Sequence, residues 1–145
     1  MPMKIKTLLT LLATAALSLN IAFAAEDDTP LAKQMKTVNK SLRTLKRQVS
    51  DASKKSENIE LLGTIKKSLD ECLKLEPAKT KDQPPAQKTA YLDNYKKQMT
   101  DLEKTFADIE TAVKADKPDD AKKLFEKLSE EKEKGHKDFG ADEDK

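Results

Sequence analysis

The chain contains one histidine, His136, one cysteine, Cys72, and two methionines beyond its first residues, Met35 and Met99. These are the side chains that could bind a transition metal through nitrogen or soft sulfur. Taken singly, each has an ordinary reading. A methionine in an apolar seam is a gap filler, a lone histidine is a hydrogen-bonded surface group, and a cysteine in such a seam is a small hydrophobe. Histidine, thiol and carboxylates do not recur at the spacing of a structural zinc site. If His136 is a ligand, no other histidine is left to act as a general base. The many carboxylates follow solvated helical faces, so no catalytic constellation emerges and an enzyme is not expected.

The elements that must position these residues are helices. Thr29-Pro30 supplies a capping hydroxyl followed by a proline at the first helical position. Leu31, Met35, Val38, Leu42, Leu45 and Val49 then recur at spacings of four and three, one seam along a helix. The stretch SDASKKSEN interrupts it. A second seam, Ile59, Leu62, Ile65, Leu69 and Cys72, stops before Pro77, and PAKTKDQPPAQK reads as a loop. The third seam runs through Leu92, Tyr95, Met99, Leu102, Phe106, Ile109 and Val113. After the turn KADKPDD, a fourth segment opens at Pro118 and carries Ala121, Leu124, Phe125, Leu128, His136 and Phe139. Four amphipathic helices with mostly short links predict an all-α fold, an antiparallel up-down-up-down four-helix bundle.

Residues 1–24 read as a signal peptide: Lys4 and Lys6 precede an apolar run, and Ala22-Phe23-Ala24 offers a small-x-small cleavage site. Cleavage leaves residues 25–145 as a single domain, with no stable membrane insertion expected. It removes two of 28 basic residues and none of 26 acidic ones, so the mature charges balance. That balance offers no argument for nucleic-acid binding. A single cysteine cannot form an internal disulfide in the oxidising compartment that a signal peptide implies. With 4% aromatic residues, the core must be mainly aliphatic.

In an up-down-up-down bundle the first helix begins where the fourth ends. Met35 and His136 then lie roughly 6 to 8 Å inside that shared end, at matching depth. A thioether and an imidazole facing across a bundle core are an axial pair for haem iron. By the same depth count from Lys88, Met99 lies roughly 16 Å in, too deep to face His136.

Here the chain resembles the soluble bacterial cytochrome b562 family. PLAKQMKTVNKSL is similar to that family's opening helix with its axial methionine, and LSEEKEKGHKDF to its closing helix with its axial histidine. The proline-bearing link at 77–88 also falls where the family has one. The resemblance implies Met35 and His136 as iron ligands. It places the family's aromatic pocket pair on Tyr95 and Met99, a thioether replacing one ring, and a basic residue near a haem propionate on Lys132. A second basic position falls on Gly140. Covalent attachment needs Cys-x-x-Cys-His, but Lys132 and Gly135 stand at the two cysteine positions. The implied cofactor is one noncovalent haem b per chain. The implied function is periplasmic electron transfer by a monomer between donor and acceptor proteins that the sequence does not identify. The alternative is a haem-free secreted helical bundle with a protein-binding or stress-related role.

Overall fold

The computed structural model describes residues 29–140, so the expected signal peptide lies outside the described residues. The described chain is helical, with four helices packed against one another: α1 (Pro30–Gln48), α2 (Lys55–Cys72), α3 (Lys88–Lys114) and α4 (Pro118–Phe139). No strand occurs among the described residues. The Thr29 hydroxyl caps α1 by accepting from the Ala32 amide at 3.1 Å. Removing such a cap costs about 1 kcal/mol. Pro118 opens α4, with Asp119 and Asp120 in its first turn, where carboxylates favour the positive end of the helix dipole.

Two expected loops contain structure. Lys55 to Asn58, the end of SDASKKSEN, already belong to α2, preceded by a 3-10 turn at Ala52–Lys54. Asp51 caps that turn by accepting from the Ser53 amide at 2.9 Å. The proline-bearing link includes a 3-10 helix, Ala78–Asp82, with Pro77 and Thr80 buried. It lacks large apolar residues, but packs because it covers one end of the helices.

The seams meet as the spacing predicts. Leu45, Ile65, Leu69, Ile109, Ala121 and Leu128 are fully enclosed. Fully burying a leucine or isoleucine contributes about 1.5–3 kcal/mol each. Where α1 gives way to α2, Gln48 Nε2 donates to Asn58 Oδ1 at 2.9 Å. At that same end, Lys55 Nζ donates to the Lys114 carbonyl and to Asp116 Oδ2, both at 2.8 Å. Asp116 itself has φ 57°, a left-handed conformation that aspartate tolerates. The Lys117 amide returns to the Ala112 carbonyl at 2.9 Å and Asp116 to Val113 at 3.2 Å, closing α3 tightly. Close backbone packing joins α1 to α2, α2 to α3 and α3 to α4, but not α1 to α4. A cleft between the first and last helices is the result.

Candidate functional site

The fourth seam explains the cleft. Continuing Ala121, Phe125 and Leu128 at spacings of four and three reaches Lys132, Gly135 and Phe139. From Leu128 to Phe139 there is no large apolar side chain. An amine and a glycine therefore stand where bulk would fill the core. A cavity of about 320 Å³ opens there, within the range of small-molecule and cofactor sites. Met35, Tyr95, Met99, Lys132 and His136 all line it. These five are the residues that the sequence and its resemblance single out, drawn from α1, α3 and α4.

Their settings differ. Tyr95 is 1% exposed, and its hydroxyl donates to the Cys72 carbonyl at 2.7 Å. Burial raises its phenol well above the ordinary value. Met99 is buried, Met35 half-buried and His136 exposed. Met35 Sδ lies 3.8 Å from Cys72 Sγ. Burial, with Glu103 and Glu71 adding to it, pushes the Cys72 thiol up to about 11. This thiol is an enclosed hydrophobe, the opposite of the electropositive, accessible setting of a reactive cysteine. For Lys132, burial lowers the ammonium's pKa, and Lys46 and Arg43 push in the same direction. No carboxylate pairs with Lys132 among the described residues.

The cavity also takes in Phe139, a seam residue with no site role expected of it, and the polar Asn39, Gln98 and Glu131. Phe139 stands edge-on to Tyr91 and Tyr95, with ring centres 5.2 and 5.4 Å apart. Gln98 Nε2 donates to Asp138 Oδ2 at 2.6 Å, and the Thr105 hydroxyl donates to Glu131 Oε1 at 2.9 Å. Asn39, Gln98 and Glu131 line the cavity, and each keeps one buried oxygen without a hydrogen-bond partner. Two signals were available in the sequence: the break in the fourth seam, and a glycine inside a helix.

The depth expectation for Met99 is corrected. Gln98–Asp138 and Thr105–Glu131 share one register, since each pair is seven residues from the other on both helices. That register sets Met99 level with His136. Met35 instead belongs to the level of Cys72 and Tyr95, about one turn nearer the open end, so the expected matching depth of Met35 and His136 is corrected as well. Counting from Lys88 misled because α3 overshoots the end of α4 by more than two turns.

No family model, curated protein or solved structure matches this chain.

The donor types present suit a haem iron. A thioether, Met35, and an imidazole, His136, border one mainly apolar cavity, and Lys132, with no carboxylate partner among the described residues, stands beside it. A Cβ placed on Gly135 would meet only Gln98 Oε1, at 3.8 Å. Protein packing therefore does not demand glycine there, whereas a flat ligand against the helix would. No three of His, Cys, Asp and Glu gather as a metal-ion site among the described residues. Haem iron needs only two protein ligands.

Proposed function

We propose that this protein is a periplasmic electron carrier that holds one b-type haem noncovalently, as a monomer, in the cleft between α1 and α4. In this reading the helices form an antiparallel up-down-up-down bundle of the cytochrome b562 kind. His136 and Met35 would hold the haem iron. The observation that carries the proposal is the convergence of Met35, Tyr95, Met99, Lys132 and His136 on one cavity. They stand at sites spread over about a hundred residues of sequence. A bound haem supplies a one-electron iron couple whose reduced state is favoured by thioether–imidazole ligation.

The chain's own residues do the rest. With His136 and Met35 both holding the iron, no open site would be left for substrate or oxygen, and the protein would be a carrier and not a catalyst. Tyr95, Met99, Leu102 and Phe139 form a wall that excludes water. Lys132 offers a cation to a haem carboxylate, though without the bidentate fork of arginine. Noncovalent retention follows from Lys132 and Gly135 occupying the positions where covalent attachment would require cysteines.

The exposure of His136 favours a second reading, a haem-free secreted bundle with a protein-binding or stress-related role. Colour separates them. Protein purified from haem-sufficient cells and then reduced should show the sharp visible bands of a six-coordinate b-type centre. Colourless protein that stays colourless when haem is added supports the second reading and overturns the first.

A further inference from the structure

Between Pro30 and Gln48, α1 contains six basic residues and no Asp or Glu. Lys33, Lys36, Lys40, Arg43 and Arg47 recur at spacings of three and four, on a face turned away from the Val38–Leu42–Leu45 seam, and all are exposed. At 1.5 Å per residue the stripe is about 20 Å long. The other long helices intersperse carboxylates with their bases. Lys74 pairs with Glu71 just past the end of α2, Lys97 with Asp101 on α3, Lys123 with Asp120 on α4. Like charges three and four residues apart weaken a helix by a few tenths of a kcal/mol each. Lys33 near the start, without any acid, opposes the helix dipole, whereas Lys46 and Arg47 in the last turn favour it. The crowding of like charges along one face is what local stability disfavours, and it points to a role elsewhere.

The stripe borders the cleft. Lys36 lines the cavity, Lys46 Nζ stands 5.6 Å from the centre of the Phe125 ring of α4, and Arg43 and Lys46 are close enough to lower the pKa of Lys132. We propose that this basic face of α1 is a docking surface for the acidic face of a partner protein. That the partner is a redox protein, which would bring its cofactor to the cleft, rests on the haem reading; the surface itself does not. A membrane is a poorer fit, since interfacial helices insert a free apolar face and the apolar seam of α1 is committed to the core. Nucleic acid is poorer too: no aromatic side chain of α1 interleaves with the stripe to stack on bases.

Poly-glutamate titrated into the mature chain, with and without haem, tests this by amide chemical-shift mapping. Shifts should concentrate on α1. Affinity should fall about tenfold as the Debye length shrinks from roughly 30 Å at 0.01 M to roughly 8 Å at 0.15 M salt. Lys40→Glu, Arg43→Glu and Arg47→Glu together should abolish binding with unchanged helical circular dichroism. Lys88→Glu, Lys96→Glu and Lys104→Glu on α3, an equal charge change, should weaken it no more than about threefold, through the long-range field alone. Equal losses in the two triple variants, or tighter binding to anionic lipid vesicles than to poly-glutamate, would overturn the proposal. So would binding seen only after residues 141–145, with Asp142, Glu143 and Asp144, are removed, because the chain's own tail would then be the occupant. Binding on α1 without haem uptake would keep the surface and remove the electron-carrier reading. Haem uptake without α1 binding would do the reverse.

Discussion

The two ends of this molecule are built from the same seams but finished differently. Where α1 meets α2 and α3 meets α4, Gln48 satisfies the enclosed Asn58, and Lys55 ties α2 to the last turn of α3 and to Asp116. Leu45, Ile109 and Ala121 close the core there without exposure. At the opposite end, Lys132 and Gly135 take two seam positions, and a cavity replaces apolar contact. Asn39, Gln98 and Glu131 keep unpartnered oxygens around it, although an unsatisfied buried polar group costs about 1–3 kcal/mol. One end is optimised for holding itself together. The other leaves a cavity ringed by unpartnered polar atoms, the place where the proposed site lies.

That contrast can be broken by substitution, and the largest effect belongs to the closed end. Ile109→Ala removes a fully enclosed side chain and should cost about 2–5 kcal/mol of stability. Denaturant unfolding should show similar losses in apo and haem-loaded protein, because the cavity is remote. His136→Ala should leave apo stability unchanged and weaken haem binding at least about a hundredfold, or roughly 2.7 kcal/mol. Unchanged affinity and spectrum in that variant would remove the imidazole from the site.

Met35→Ala should retain haem about tenfold more weakly, or about 1.4 kcal/mol, with an altered spectrum. Persistence of a six-coordinate spectrum, lost only on adding Met99→Ala, would assign the axial sulfur to Met99, which shares the level of His136. Gly135→Ala should raise apo stability by about 0.8–1.0 kcal/mol, the intrinsic helix gain, because the new methyl meets only Gln98 Oε1. Its haem affinity should fall; if affinity holds, the ligand does not lie against that helix.

The smallest effect is electrostatic. Folding lowers the pKa of Lys132, so the unfolded chain binds more protons between that lowered value and the ordinary 10.5. Apo stability should therefore rise with pH across this window. Lys132→Met should remove that part of the rise. A haem carboxylate beside the amine should cancel it as well, so the rise should be absent in loaded protein.

The helices were legible because their seams repeat at three and four residues and Thr29-Pro30 and Pro118 mark two starts. The five cavity residues were legible chiefly through the cytochrome b562 resemblance. The relative depth of Met35 and Met99 was not, since register between helices is set by loop length and overshoot, which no local pattern encodes. Phe139 and Tyr91 come together across that same register, and so escaped notice as a pair. The short helix at Ala78–Asp82 was hidden because a segment without large apolar residues gives no periodic signal, although its Thr80 is buried.

Haem titration of the mature chain, followed by absorption in both oxidation states, tests the central claim most directly. The account predicts saturation at one haem per chain, with sharp bands of a six-coordinate b-type centre on reduction and greater thermal stability on loading. At a hundredfold excess over Kd that stabilisation is about 2.7 kcal/mol. Loss of amide exchange should concentrate at the start of α1 and the end of α4. Absorption that rises without saturating, or saturation with protection spread equally over both ends, would contradict a haem site between Met35 and His136.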